Sequence, residues 1–148
     1  METWRRKPDS NPLASPRILT QLGSVRVAQQ QFAEAEPLLR ESLALAQRYW
    51  PTGEYRYLVM SHLGASLTGQ ENHAEAETLL RSSCEGLTRG RAILPPFLYP
   101  ERRLAESLER LVQLYDAWGK PAQATEWKQK LAAFQQASKA ADKKGAQQ

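Results

Sequence analysis

A chain of 148 residues has room for one well-cored domain and not for two ordinary ones. With 41% hydrophobic and 24% charged residues, its composition is that of a folded soluble domain, not a disordered chain. The net charge of +4 is small, and part of it sits at the ends, which speaks against a nucleic-acid partner.

A single cysteine, Cys84, rules out an internal disulfide and suits a reducing, cytoplasmic setting. It is expected as a small core residue of a helix. No apolar run approaches the ~18 residues of a membrane span, so no membrane role is expected. Residues 1–12 lack the apolar segment of a secretory signal.

In chain order, residues 1–14 read as a flexible basic arm carrying Trp4, Arg5, Arg6 and Lys7. Ser15 and Pro16 suit the cap and first turn of a helix. Leu19, Leu22, Arg26 and Val27 then follow a helical period. Leu38, Leu39, Ser42, Leu43, Leu45, Ala46 and Tyr49 mark a second helix, closed by Pro51-Thr52-Gly53. The pair spans residues 15–50.

The next pair, near 54–90, repeats the first. Leu22-Gly23 returns as Leu63-Gly64, and Ala35 returns as Ala76, both 41 positions later. A weaker third copy, near 101–137, carries Leu111, Tyr115, Gly119, Ala124 and Leu131 at the same internal spacing, but 48 positions after the second. Residues 91–100, with Pro95, Pro96 and Pro100, are the expected insertion, because proline cannot continue a helix. Residues 138–148, with Lys139, Lys143 and Lys144, read as a flexible basic tail.

The expected fold is therefore all-α: a short α-solenoid of about three helix-turn-helix pairs. Gly23 and Gly64 let first and second helices approach at Ala35 and Ala76, and Leu22, Leu39, Leu63 and Leu80 are expected to fill the seams. One pair cannot bury its own apolar face, so the pairs must stack into one core.

This pattern resembles the tetratricopeptide repeat. The first copy supplies Leu19, Leu22, Gly23, Ala35 and Leu39, and the second Met60, Leu63, Gly64, Ala76 and Leu80. The third supplies Leu108, Leu111, Tyr115, Gly119, Ala124 and Leu131. Arg26 stands where the family has Tyr, Val112 where it has Gly, and Gln30 and Glu71 where it has the turn Gly. The phrases AEAEPLLRESLAL, HLGASLTGQENHAEAETLLRSSCEGL and ESLERLVQLYDAWGKPAQATEWKQKL further resemble the carboxy-terminal repeat region of certain bacterial serine/threonine protein kinases. That similarity implies a detached or truncated kinase tail, or a free-standing relative. Kinase activity is not implied: the sequence has no glycine-rich phosphate loop, no His-Arg-Asp and no Asp-Phe-Gly.

The resemblance implies a non-catalytic module that binds a protein or peptide in the groove lined by first helices. The groove positions it implies are Gln21, Ser24, Ser61, His62, Arg110, Gln113 and Asp116. Thr20 and Ser24 occupy the places where relatives clamp a terminal carboxylate, so no such clamp is expected.

No catalytic residue, cofactor or metal is expected. His62 and His73 have no neighbouring ligands, and His73 takes the place of Phe32, which points to packing. Glu36 with Arg40, and Glu77 with Arg81, are expected to pair along their helices. Trp118 and Trp127 are expected to seal the last repeat rather than stack bases. An exposed apolar end of the stack gives a further expectation, weak self-association.

Overall fold

The computed structural model describes residues 15–51, 53–91 and 99–146. Trp4 and the amino-terminal arm lie outside these, as does most of the proline-containing insertion. Among the described residues six helices follow one another with no strand: α1 (Pro16–Ala28), α2 (Phe32–Tyr49), α3 (Tyr55–Gly69), α4 (His73–Gly90), α5 (Pro100–Trp118) and α6 (Pro121–Ala146). Each helix packs on the next, and α3 also touches both α1 and α5. The first helices of the three pairs therefore form one layer and the second helices the other.

The helix starts follow local chemistry. Ser15 is extended (φ −90°, ψ 134°), and Pro16 takes the first helical position, where its missing N–H costs nothing. The Ser15 side chain makes no capping bond; its carbonyl accepts from the Leu19 N–H at 2.9 Å. Pro100 likewise takes the first position of α5, but after Tyr99 in a left-handed conformation (φ 50°). The turns inside the pairs need a left-handed residue. Gly119 supplies it at φ 74°, whereas Gln30 (φ 60°) and Glu71 (φ 63°) adopt it with a side chain attached.

Close approach explains the repeated small residues. A Cβ placed on Gly23 would lie 2.5 Å from Leu39, and one on Gly64 would lie 2.5 Å from Leu80. Ala35 and Ala76 are fully buried opposite them. The third pair solves the seam differently. Val112 takes the glycine position, and Lys128, which is exposed, stands where the buried Leu39 and Leu80 stand.

Buried serines join the helices of each of the first two pairs. Ser42 Oγ donates to the Pro16 carbonyl at 2.8 Å and lies 2.7 Å from Thr20 Oγ1. Forty-one positions on, Ser83 Oγ donates to the Tyr57 carbonyl at 2.8 Å. Each such bond contributes about 1 kcal/mol, and a lone buried partner costs about 1–3 kcal/mol.

Several expectations change. Leu22 does not fill a seam: it is 46% exposed, whereas its equivalent Leu63 is 1% exposed. The reason is position. Leu63 is covered by the helix pair before it, and among the described residues no pair precedes α1. The tail expected to be flexible from residue 138 continues α6 to Ala146. It is rich in Ala and Lys, which favour helix.

Glu36 pairs with Arg40 at 2.8 Å, and Arg40 also reaches Glu75 on the next pair at 2.9 Å. Glu77 and Arg81 do not meet directly. The Tyr115 hydroxyl sits between them, donating to Glu77 Oε2 at 2.7 Å and accepting from Arg81 Nε at 3.1 Å.

Candidate functional site

The inner layer of first helices is the surface on which three repeats converge. Between the end of α1, the start of α2, and the sides of α3 and α5 lies an open cavity of about 480 Å³. Val27, Phe32 and Ala65 supply an apolar wall, and Glu106, Glu109, Arg110 and Gln113 on α5 a polar one. Thr68 and Gly69 close the α3 side. Apolar surface with a few placed polar groups is what a binding pocket needs.

Arg110 links the polar wall to a buried polar chain. Ser83 Oγ lies 3.1 Å from Ser107 Oγ, and Ser107 Oγ donates to Ser61 Oγ at 2.8 Å. Arg110 Nη1 donates to Ser61 Oγ at 2.6 Å, and its Nη2 lies 3.2 Å from His62 Nδ1. Guanidinium has no acceptor, so His62 must offer the Nδ1 lone pair and carry its proton on Nε2. Burial, with Arg110 and Arg103 nearby, pulls the His62 pKa down to about 3. The imidazole is thus neutral at pH 7. Desolvation also lowers the Arg110 pKa, partly opposed by Glu106.

Of the seven groove positions implied by resemblance, Arg110 and Gln113 line the cavity. Ser61 and His62 do not face open solvent; they are 3% and 7% exposed, with the Arg110 side chain bonded to both. Gln21 is exposed, and its carbonyl accepts from the Ser24 hydroxyl at 2.8 Å, so these two bond to each other outside the cavity. Asp116 is turned to Lys128 on α6 at 3.4 Å. The apolar wall was not among those positions. Ala65 is the second-repeat equivalent of Gln113, and Thr68 and Val27 are equivalents of Asp116. The repeat offsets alone relate them to the implied positions.

Glu106 is held by Arg102 at 3.2 Å and Arg103 at 3.3 Å. Glu109 is exposed and has no ion pair among the described residues. The other reactive groups are engaged or buried. Cys84 is buried, and desolvation pushes its thiol up to about 12. His73 stacks on Trp118 at 5.4 Å between ring centroids. Lys120 Nζ lies 3.6 Å over the Trp118 ring, and Lys130 Nζ 4.1 Å over Trp127. Both rings join the core, so those ring faces are not open to bases. Among the described residues no three His, Cys, Asp or Glu side chains gather as metal ligands would, and no helix is long and apolar enough to cross a membrane.

Stacked helix pairs with glycine at the first two crossings, and a cavity on the layer of first helices, define a helical-repeat solenoid. The tetratricopeptide repeat family model matches residues 15–89, just over half of the chain, and the chain belongs to that family. Its repeat serves protein–protein interaction. No curated protein and no solved structure matches the chain.

Proposed function

We propose that the chain is a non-catalytic interaction module that takes a segment of a protein partner into the cavity between α1, α3 and α5. The supporting observation is the cavity itself, to which all three repeats contribute. Val27, Phe32 and Ala65 would hold an apolar anchor of the partner, and Glu109 and Gln113 would fix its register through polar bonds. Arg110 acts mainly from below, because two of its donors are committed to Ser61 and His62. A cytoplasmic setting fits the single buried thiol.

The test is affinity capture with the full chain and with Ala65→Arg and Glu109→Arg. Both substitutions point into the cavity without touching the buried chain. Loss of the same partners in both variants supports the groove; an unchanged partner set removes it.

A second reading rests on the resemblance of its repeat phrases to bacterial kinase repeat regions alone: a regulatory tail, detached or truncated, acting on a kinase without being one. Reading the DNA immediately upstream discriminates. An in-frame kinase-like stretch favours the tail, and an unrelated gene favours an independent module.

A further inference from the structure

The outward face of α1 is a stacking surface with nothing stacked on it among the described residues. Ile18, Leu22 and Val25 recur at i, i+4 and i+7 and are 37%, 46% and 52% exposed. Their equivalents on α3 are Val59, Leu63 and Ser66, each at most 1% exposed. The α3 helix has α2 stacked before it. Leu19 and Gly23 face the other way, into the α1–α2 pair. The exposed stripe is therefore not spare core of its own repeat.

The polar edge of the face has a matching history. At both internal junctions a glutamate at the same register of the covering helix accepts a bond from the covered one. Gln70 Nε2 donates to Glu36 Oε2 at 3.2 Å, and the Tyr115 hydroxyl donates to Glu77 Oε2 at 2.7 Å. Glu36 and Glu77 are 41 positions apart, the repeat offset. On α1 and its C-cap the equivalents of Tyr115 and Gln70 are Arg26 and Gln29, both exposed and both donors. Arg26 now rests against Gln31 at 2.6 Å and Glu34 at 3.6 Å, a solvent-exposed pairing that leaves further donors free. Arg17 is also exposed, and α1 contains no acidic residue.

We infer that this face docks an amphipathic acidic helix of a partner protein, with a Leu/Ala stripe over Ile18, Leu22 and Val25 and a glutamate reaching Arg26 and Gln29. Charge decides against two other occupants. A second copy laid α1 on α1 would bring Arg17 and Arg26 against the same two residues, and α6 carries Lys128, Lys130, Lys139, Lys143 and Lys144 against only Glu126 and Asp142. The chain's own residues 1–14 carry Arg5, Arg6 and Lys7 against Glu2 and Asp9, so they do not supply the missing negative charge. The site is separate from the inner cavity, and its success or failure leaves the groove reading untouched.

The probe is a fluorescein-labelled, hydrocarbon-stapled peptide of residues 32–49, whose parent helix already covers the equivalent face of α3. Fluorescence anisotropy with the full 148-residue chain is expected to show saturable binding. Leu22→Asp in the chain should weaken it by roughly tenfold or more, and Glu36→Gln in the peptide by about threefold. Absence of binding overturns the inference, as does equal binding to the Leu22→Asp chain. A dimer of the full chain that Leu22→Asp dissolves, read by sedimentation, gives the face to a second copy. A fall in Tm of more than about 5 °C from Leu22→Asp alone shows that the chain covers its own stripe. Either result also overturns it.

Discussion

Protonating His62 should unfold the domain from its centre. The imidazole is 7% exposed, accepts from Arg110 at Nδ1 and sits near a second cation, Arg103. A proton there would remove the acceptor and place a buried positive charge beside Arg110. Burial is the main cause of the fall of its pKa to about 3, with Arg110 next. An unfolded histidine titrates near 6.5. Because the folded value is depressed, the unfolded chain binds more protons between pH 6.5 and 3. The stabilisation is complete above about pH 6.5 and is lost as the pH falls toward 3. The full difference is about 5 kcal/mol at about 1.4 kcal/mol per unit, of which about 2 kcal/mol is already gone at pH 5. Urea unfolding at pH 7.5 and pH 5.0 measures it, and ordinary carboxylates are still ionised over most of that window. His62→Gln keeps an acceptor for Arg110 without a titrating proton and should cancel most of the slope. Equal slopes in the two proteins, or an NMR titration of His62 near 6.5, would refute the reasoning.

Three further outcomes follow from the packing. Gln30→Gly and Glu71→Gly should each raise stability by up to about 1 kcal/mol, because both residues hold a left-handed backbone; Gly119→Ala should cost about 1 kcal/mol, read by thermal melts. Gly64→Ala should cost about 1–3 kcal/mol through its clash with Leu80. Gly23→Ala should cost less, since α1 can shift away from Leu39 on its uncovered side; equal costs in urea melts would contradict this. Cys84 should resist a thiol-specific disulfide reagent in the native chain and react only as fast as the domain opens, because its thiol is buried and pushed up to about 12.

The helical stacking was legible because its landmarks are packing constraints. Gly23 and Gly64 recur where a Cβ has no room, and Ala35 and Ala76 recur where the opposite helix crosses. Spacing alone records such constraints. What it does not record is the neighbouring repeat. Leu22 and Leu63 are the same residue at the same position, yet one is exposed and one buried, because among the described residues α3 has a pair stacked before it and α1 has none. Ser61 and His62 are buried against α5, not open to a groove. The long Arg110 side chain from α5 bonds to both there, and nothing in α3 itself announces this. The apolar wall of the cavity is hidden for a different reason: Val27 and Ala65 stand at the positions that hold the polar Asp116 and Gln113 in the third copy.

The most direct measurement for a partner bound in the inner cavity is site-specific photo-crosslinking in cells. A photoreactive residue is placed at Gln113, which lines the cavity, and in a second protein at Gln136, on exposed α6 away from it. Binding through the inner layer requires a discrete partner crosslinked from position 113 and absent from position 136. The reverse pattern would contradict it.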